Sequence, residues 1–235
     1  ALLAVVNHFR GIESLYVWNY VKVLMAQDND LVAQALQPTL KRLGLMQVLI
    51  HHVPLDDVVL RICQLPQLES LQLAASFTGV RETNAVRPVT FQDEQTTVSA
   101  VMQMESLVDL SLRNLRLTDV AGMVIVNHLI QFDSLRSLDL RFNPRIIKTY
   151  DALLAGLVNE SVCNLHFVQL DDRHSLASNY EWYTRLNRYG RGKFIAEESS
   201  VEERVNVLCN ASGDLSAIYH YVRRTPTVVP CKQQN

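Results

Sequence analysis

The stretch that decides the fold is LRSLDLRFN, which runs from Leu135 to Asn143. Leu138 and Leu140 are two positions apart, so their side chains project from one face of a short strand, and Asp139 projects from the other. Leu135 enters the same core from the preceding loop. The side-chain amide of Asn143 suits the turn after the strand, where it can bond backbone groups that the strand no longer pairs. The stretch therefore predicts a strand that is apolar on one face and ends in a polar turn.

The same apolar spacing occurs in five other places along the chain. Only the copy at Leu135 has an asparagine after the strand, so the copies are irregular. Internal repetition of this kind is typical of folds built from stacked units. The other copies are Ile12-x-x-Leu15-x-Val17, Leu45-x-x-Val48-x-Ile50-x-x-Val53-x-Leu55, Leu68-x-x-Leu71-x-Leu73, Leu107-x-x-Leu110-x-Leu112-x-x-Leu115-x-Leu117 and Val162-x-x-Leu165-x-Phe167-x-x-Leu170.

Helical spacing of apolar residues fills the segments between these strands. Thr118 and Asp119 suit the start of one such helix. Each unit is therefore predicted to be a strand, a turn and a helix, which makes the fold α/β, and stacked units bury one another's apolar faces. The apolar helical positions are Val59, Ile62 and Cys63; Val98, Val101 and Met102; Val120, Met123, Val124 and Ile130; and Tyr150, Leu153, Leu154 and Leu157.

The length of the repeat favours one family. The steps from Leu107 to Leu135 and from Leu135 to Val162 are each about 28 residues long. With the run Leu115-Arg116-Leu117-Thr118-Asp119 leading into a helix, the chain from about Ile12 to Asp172 resembles the ribonuclease-inhibitor-like subfamily of leucine-rich-repeat proteins. The resemblance implies a leucine-rich-repeat solenoid, a horseshoe with parallel strands on its concave face and helices on its convex face.

One step is much longer than this period. From Leu68 to Leu107 the chain carries about eleven extra residues. We interpret the excess, Thr78 to Gln92, as a surface loop that leaves the stack after a strand. The predicted solenoid therefore covers residues 1–172, with about six repeats and an insertion near 78–92.

The N-terminal part of the chain is less regular. The step from Ile12 to Leu45 is also long, and Gln27 to Asp30 is predicted to be an inserted turn before a helix from Leu31 to Leu43. The chain begins at Ala1 with no initiator Met and no recognisable targeting segment, so we expect its natural N-terminus to precede this residue.

After Leu170 the strand spacing stops, and the rest of the chain is predicted to be helical. One helix runs from His174 to Arg188 and is ended by Gly190 and Gly192. A polar turn at Glu197 to Ser200 precedes two further helices. These are Val201 to Asn210 and Asp214 to Arg224, with Gly213 between them, while Leu176, Tyr180, Tyr183 and Leu186 share one side of the first helix. Residues 173–235 are therefore predicted to form a helical cap and tail that close the apolar core.

The amino-acid sequence of this cap resembles the region that follows the repeats in leucine-rich-repeat proteins of diatoms and other algae. The resemblance rests on the stretches Tyr183 to Arg191 and Gly213 to Arg224. The resemblance supports the predicted fold and a lineage, and it says nothing about chemical activity.

Strand side chains that alternate away from the leucines form the predicted partner-binding surface. Aromatic and Arg side chains carry much of the binding energy at protein interfaces. Exposing Trp18 to water beside Tyr16 would be energetically unfavourable unless a partner covers the side chain. Alternatively, Trp18 packs under an N-terminal helix from Ala1 to Phe9. The predicted contact residues are Tyr16, Trp18, His51, Gln72, Arg113, Asp139, Arg141 and His166, and Leu49, Ala74, Ser111 and Val168 are placed on the same face.

Two arginines of this surface have two alternative roles. Arg113 and Arg141 could bind a carboxylate of a partner, or they could pair with Asp109 and Asp139 along the same face. The loop near 78–92 is the second candidate contact, and its alternative is a solvated insertion.

Catalytic and metal-binding motifs are lacking in the sequence. It contains no P-loop, no GxSxG elbow and no HExxH. His51 and His52 are adjacent in a predicted strand, so they point to opposite faces and cannot easily bind one ion. No nucleophile, base and orienting group come together. We therefore predict no enzyme activity, no cofactor and no metal site.

Composition narrows the class of partner. The net charge of the 235 residues is −2, with acids and bases mixed, which argues against a nucleic-acid surface. No apolar run approaches the roughly 20 residues that span a bilayer. Cys63, Cys163, Cys209 and Cys231 are far apart and lack the spacing of zinc ligands. The first two stand in apolar patterns, which predicts buried thiols in a reducing, intracellular compartment.

The sequence thus favours a protein-protein interaction scaffold, as a subunit or assembly factor of a larger complex. The alternative is a regulatory module, since ribonuclease-inhibitor-like repeats include enzyme inhibitors and GTPase activators. A GTPase activator would have to present Asn143 or Arg145 to its partner. A ubiquitin-ligase substrate receptor would need an F-box-like segment before Ala1. The oligomeric state stays open.

Overall fold

In the described part of the chain, six parallel strands form one open sheet, and they lie side by side in the order in which they occur in the sequence. The computed structural model describes residues 11–18, 38–48, 55–75, 91–131, 134–171 and 177–224. The strands are β1 (Ser14–Trp18), β2 (Arg42–Val48), β3 (Ser70–Ala75), β4 (Asp109–Arg113), β5 (Ser137–Asp139) and β6 (Phe167–Gln169). Eight helices lie in the same residues. They are α1 (Leu55–Ile62), α2 (Glu94–Met102), α3 (Asp119–Gln131), α4 (Lys148–Val158), α5 (Ala177–Tyr189), α6 (Arg191–Ile195), α7 (Val201–Asn210) and α8 (Leu215–Arg224). The predicted α/β class is confirmed.

Buried leucines line one face of the sheet from strand to strand. Leu71, Leu110 and Leu138 are register partners on β3, β4 and β5. Leu112 and Leu140 lie in the same core, and all five side chains are almost completely buried. Burying each leucine contributes about 2 kcal/mol. The predicted row of alternating leucines in adjacent parallel strands is therefore confirmed.

The register of β2 corrects one predicted copy. Leu43 pairs with Leu15 of β1 and with Leu71 of β3, and the paired residues are 28 positions apart on both sides. The copy is therefore Leu40-x-x-Leu43-x-Leu45, and the prediction that placed its first leucine at Leu45 is wrong. Leu45 fits both spacings, so only backbone pairing separates them.

Two further predictions change with this register. The first step is not long, because β1 and β2 pair at the ordinary spacing. The helix predicted from Leu31 to Leu43 cannot extend to its predicted end, since Arg42 and Leu43 are in β2. Residues 19–37 and 49–54 lie outside the described part of the chain, and with them the predicted turn at 27–30 and His51.

The last strand also differs from its prediction. Val168 pairs with Leu138 and packs against the core, whereas Phe167 points to the opposite face and is 54% exposed. The predictions that Phe167 is buried and that Val168 faces a partner are therefore wrong. Val168 takes the place predicted for Leu165 opposite Leu138, three residues away, and an odd shift in register exchanges the two faces of a strand. His166, predicted on the same side as Val168, precedes β6 and lies level with Arg136. Leu165 remains buried just before β6.

Helices α1, α2 and α4 bury the predicted apolar positions, with Cys63 and Leu154 at the margin of the core. Helix α3 is present, and of its predicted apolar positions Val124 packs against the core, but the prediction that Val120 and Ile130 are buried is wrong. Val120 is 53% exposed and Ile130 is also exposed, while Ala121, Ile125 and Leu129 are buried. Apolar residues of α3 occupy most of the circumference of the helix, so their spacing did not identify the buried side.

Acidic residues in the first turns of α1, α2 and α3 each link their helix to the start of the next one. Asp56 of α1 accepts hydrogen bonds from the backbone N of Gln92 at 2.8 Å and from Thr97 Oγ1 at 2.7 Å. Glu94 of α2 accepts from the backbone N and the hydroxyl of Thr118, which precedes α3. Asp119 of α3 accepts from the backbone N of Thr149 at 2.9 Å, at the start of α4. We call these bonds the inter-helix caps, because each satisfies amide donors that a helix start leaves unpaired.

Side chains from α5 close the end of the sheet core. Asn187 donates to the carbonyls of Val162 and Leu165, at 3.1 and 2.8 Å, and the Tyr180 hydroxyl donates to the carbonyl of Tyr150. A second apolar cluster then joins α5 to the later helices. It contains Leu186, Phe194, Val207, Ala211, Ala217 and Tyr221.

The boundaries of these helices follow the sequence closely. Gly190 has a φ of 102° and ends α5 as predicted. Gly192 lies inside α6, so the second predicted stop is wrong. Ser200 and Glu203 form a capping box at the start of α7. His174, Leu176 and the chain after Arg224 are not among the described residues.

Candidate functional site: the polar face of the sheet

The strand side chains opposite the buried leucines form a surface that we call the polar face. Tyr16, Gln72, Arg113 and Asp139 all lie on it, on β1, β3, β4 and β5. Arg141 follows β5, and His166 precedes β6, where its backbone N donates to the carbonyl of Arg136 at 2.7 Å. The structure therefore brings Arg113, Asp139 and Arg141 together and places Tyr16 on a distant strand. Trp18 is in β1, but its side chain is outside the described set, as are His51 and Leu49.

Asp139 holds both arginines of the polar face. Arg141 binds it through two bonds, Nε to Oδ1 at 3.0 Å and Nη2 to Oδ2 at 2.8 Å. The backbone N of Arg141 also donates to Oδ1 at 3.1 Å. Arg113 Nε lies 3.6 Å from Oδ2. The alternative in which Asp139 is their partner is therefore observed, and a partner's carboxylate would have to compete with it.

Phe142 is an exposed aromatic residue beside this cluster that the sequence did not single out. The Arg113 guanidinium lies 5.2 Å from the centre of its ring, in a cation–π contact. Phe142 is 38% exposed and has a φ of 65°, a backbone conformation that side chains rarely adopt. Its backbone N donates to Asp171 Oδ1 at 2.6 Å, which helps to hold the turn. In the repeat template this position is variable, so nothing in the spacing marks it.

A second ring is held by an arginine at the last strand. The Arg188 guanidinium lies 4.8 Å from the centre of the Phe167 ring, and Arg188 Nη1 donates to the carbonyl of His166 at 3.0 Å. Burial, and then the charges of Arg136 and Arg188, lower the pKa of His166. A lowered pKa favours the neutral form of the His166 ring, which lies before β6 and beside the C-terminal helices.

Tyr16 is positioned by a glycine on the neighbouring strand. Its ring lies directly over Gly44, so that a Cβ added to Gly44 would be 2.4 Å from Tyr16 Cδ1. Gly44 and Tyr16 are register partners on β2 and β1. Tyr16 nevertheless remains 47% exposed. This contact fixes an aromatic side chain at the first strand of the polar face.

Asn143 does not belong to the accessible surface. Its side-chain nitrogen donates to the carbonyls of Leu112 and Leu140, at 2.7 and 2.9 Å. Its oxygen accepts from the backbone N of Leu115 and of Leu117, at 3.0 and 3.1 Å. The predicted role of Asn143 in the turn is confirmed. Its presentation to a GTPase is excluded, because it is completely buried, whereas Arg145 is exposed.

The described side chains of the polar face are suited to contacts with a partner and do not form a set of metal ligands. Its described side chains supply two arginines around one carboxylate, two arginine-stacked phenylalanines and a tyrosine. Nowhere in the described ranges do three His, Cys, Asp or Glu residues converge as a set of metal ligands. Within the same ranges, no helix has both the length and the apolar character needed to cross a bilayer.

Comparison with known proteins does not add a family to these observations. No protein-family model matches the chain, and no curated protein or solved structure matches it either. The fold and the candidate site therefore rest on the residues and contacts of this chain alone.

Proposed function

We propose that this chain is a leucine-rich-repeat solenoid of the ribonuclease-inhibitor-like kind, and that it is a non-catalytic scaffold that binds another protein through the polar face. In this proposal the polar face is the concave surface of a horseshoe. Parallel strands in sequential order support the repeat, and the pairs β1–β2, β2–β3 and β4–β5 all have partners 28 residues apart. The buried row of leucines and the bonds of Asn143 support it further.

One observation carries the binding role: rigidly held aromatic rings stay exposed on the polar face and at its edge. Phe142 and Phe167 are each stacked with an arginine, and Tyr16 lies on Gly44. A ring held before binding loses little conformational entropy when a partner covers it. Exposed aromatic and Arg side chains are also the types most often found at the energetic centres of interfaces.

The charge around these rings indicates the kind of surface that fits. Arg113, Arg141 and Asp139 together leave one net positive charge. An apolar protein surface with a nearby carboxylate would complement this arrangement. Stable association of this kind would make the chain a subunit or assembly factor of a larger complex.

The experiment compares partner recovery by matched variants. We would affinity-purify the full-length protein from its native source and quantify co-purifying chains by mass spectrometry. Phe142→Ala combined with Phe167→Ala should lower the affinity for a specific partner by at least about tenfold. Val120→Ala, which truncates a similarly exposed residue on helix α3, should leave recovery unchanged.

A second pair of variants tests the charges. Arg113→Glu combined with Arg141→Glu should release the partner, while Arg61→Glu on helix α1 should not. Circular dichroism and melting temperature establish that each variant is folded. Full partner recovery by both polar-face variants would contradict the proposal, and loss with Val120→Ala alone would place the contact on the helices.

A further inference from the structure

A cationic cavity lies between the last strand and the C-terminal helices, and it shares Arg188 and His166 with the edge of the polar face at β6. Its volume is about 380 Å³, within the range of small-molecule sites. Arg136, Arg188 and Lys193 supply positive charge to its lining, and Glu203 is the carboxylate among its lining residues. Cys163 is part of the same wall and is half-buried.

Beneath this wall lies a completely buried arginine. Arg191 is 0% exposed, and no carboxylate among the described residues forms an ion pair with it. Its Nη2 donates to the carbonyl of Val162 at 3.4 Å, and its guanidinium lies 5.2 Å from the centre of the Tyr183 ring. Its Nε and Nη1 are buried, and neither donates a hydrogen bond of ordinary geometry to a described group. A buried cation with so few partners is costly.

Cys163 is the most acidic of the uncharged groups near Arg191, and its Cβ would lie 3.1 Å from a Cβ added to the adjacent Gly192. Burial lowers the pKa of Arg191, and the largest opposing influence is Cys163, followed by the hydroxyls of Tyr221 and Tyr183. Both tyrosines are far weaker acids than a thiol. Loss of the Cys163 proton would therefore give the buried guanidinium the negative partner that it otherwise lacks.

One contact of Cys163 opposes the thiolate, whereas the charges around the cavity favour it. As a thiol, Cys163 donates a sulfur hydrogen bond to the carbonyl of Glu160 at 3.0 Å, which ionisation would remove. The Glu160 carboxylate is neutralised in an ion pair with Arg224. Glu203 is engaged by Ser200 in the capping box and lies near Lys193. The balance of charge at the cavity is therefore positive, which lowers the cost of a thiolate.

We propose that Cys163 is a reactive thiolate and a site of thiol–disulfide exchange with a small, carboxylate-bearing disulfide that binds in this cationic cavity. The Cys163 thiolate attacks one sulfur of the small disulfide, forms a new S–S bond to it and breaks the old one. The second sulfur leaves as a thiolate and takes a proton from water. Cys163 is oxidised, and the small disulfide is reduced by the same two electrons. Arg136, Arg188 and Lys193 would hold the carboxylates of the bound half.

The test uses the other cysteines as internal references. In a Cys231→Ser background, site-resolved peptide mass spectrometry would follow alkylation by neutral iodoacetamide between pH 5 and pH 10. Cys209 is exposed, and burial raises the pKa of Cys63 to about 11. The midpoint of the pH–rate profile of Cys163 should lie at least about one unit below that of Cys209. Cys63 should react least at neutral pH. A Cys163 midpoint at or above that of Cys209 would overturn the proposal.

Charge selectivity is tested with an anionic reagent. The ratio of iodoacetate to iodoacetamide rates should be at least about threefold higher at Cys163 than at Cys209. Arg136→Gln with Arg188→Gln, at solvent-accessible positions, should reduce this ratio to that of Cys209. An unchanged ratio would contradict the cationic site.

Exchange itself is measured with glutathione disulfide as the probe. Cys163 should gain one glutathionyl group before Cys209 does, and Arg191→Met should raise the Cys163 midpoint and slow the exchange. If Arg191→Met does not fold, the combined Arg136→Gln and Arg188→Gln variant is used instead, and it should also slow the exchange at Cys163. Preferential labelling of Cys209 would refute the proposed exchange site.

Discussion

Asn143 and Arg191 are both completely buried polar side chains, yet their surroundings differ. Asn143, beside the sheet, uses its nitrogen and its oxygen in bonds to four backbone groups at 2.7 to 3.1 Å. Arg191, among the C-terminal helices, has one long bond to a carbonyl and two nitrogens without an ordinary acceptor. A satisfied buried polar group holds a fold together, whereas an unsatisfied one is kept at a cost in stability. The first therefore indicates a structural role, and the second is the residue that we propose acts on Cys163.

The largest effect is expected at the satisfied residue. Asn143→Ala leaves the backbone N of Leu115 and of Leu117, and two carbonyls, buried without their partners. It should lower the free energy of unfolding by about 3 to 5 kcal/mol. Urea denaturation measures this change. Asn127→Ala, at an exposed position on α3, is the control and should cost little. An equal, small loss in both variants would remove the distinction between the two buried residues.

The opposite result is expected at Arg191. At a pH at which the Cys163 thiol keeps its proton, Arg191 is a buried cation without a negative partner among the described residues. Replacing such a cation by an apolar side chain of similar length is often neutral or stabilising. Arg191→Met should therefore leave the free energy of unfolding unchanged or raise it by about 1 kcal/mol. The exposed Arg223→Met serves as the control in the same urea titration. A loss of more than about 3 kcal/mol would mean that Arg191 is as well satisfied as Asn143.

A smaller effect is expected at an inter-helix cap nearer the surface. Burial raises the pKa of Asp119, but hydrogen bonds from Thr149, Lys148 and Ile147 outweigh it and lower the pKa overall. A lowered pKa stabilises the fold above the unfolded-state pKa, and the contribution is lost as pH falls through the folded-state pKa. Asp119→Asn should cost about 1 kcal/mol at pH 7 and progressively less below about pH 4.

Thermal unfolding between pH 2 and pH 7 measures this dependence. Asp57→Asn, an exposed acid in the first turn of α1, is the matched control and should change stability little at any pH. If the loss of stability in Asp119→Asn does not vary with pH, the carboxylate charge is unimportant. The hydrogen bonds to the start of α4 would then not depend on that charge.

Much of the sheet was predictable because a strand repeats every two residues and leucine marks its buried side. The pattern identified β3, β4 and β5 and their neighbouring helices correctly. It failed at β2 and β6, where two overlapping apolar spacings fit the same letters and only backbone pairing selects one. It also failed on the buried side of α3, where apolar residues surround most of the helix.

The candidate site was predictable only in part. Arg113, Asp139 and Arg141 were placed on one face by alternation, and one of the two predicted alternatives, their mutual pairing, is the one observed. Phe142 and Phe167 were missed. A turn conformation exposes Phe142 and the register of β6 exposes Phe167, and the spacing of apolar residues predicts neither of these features. Arg191 and Cys163 are 28 positions apart along the chain, and only the packing of α6 against the last repeat brings them together.

The junction between β3 and β4 has a practical consequence for protein engineering. Ser70 pairs with Asp109, although 39 positions separate such partners in place of the usual 28, and the next four pairs follow without a shift. The hydrogen-bond ladder therefore tolerates extra chain at this point. Since lengthening a connection costs only about 0.6 kcal/mol per doubling, an epitope or a small domain inserted between Ala75 and Phe91 should leave both flanking strands intact.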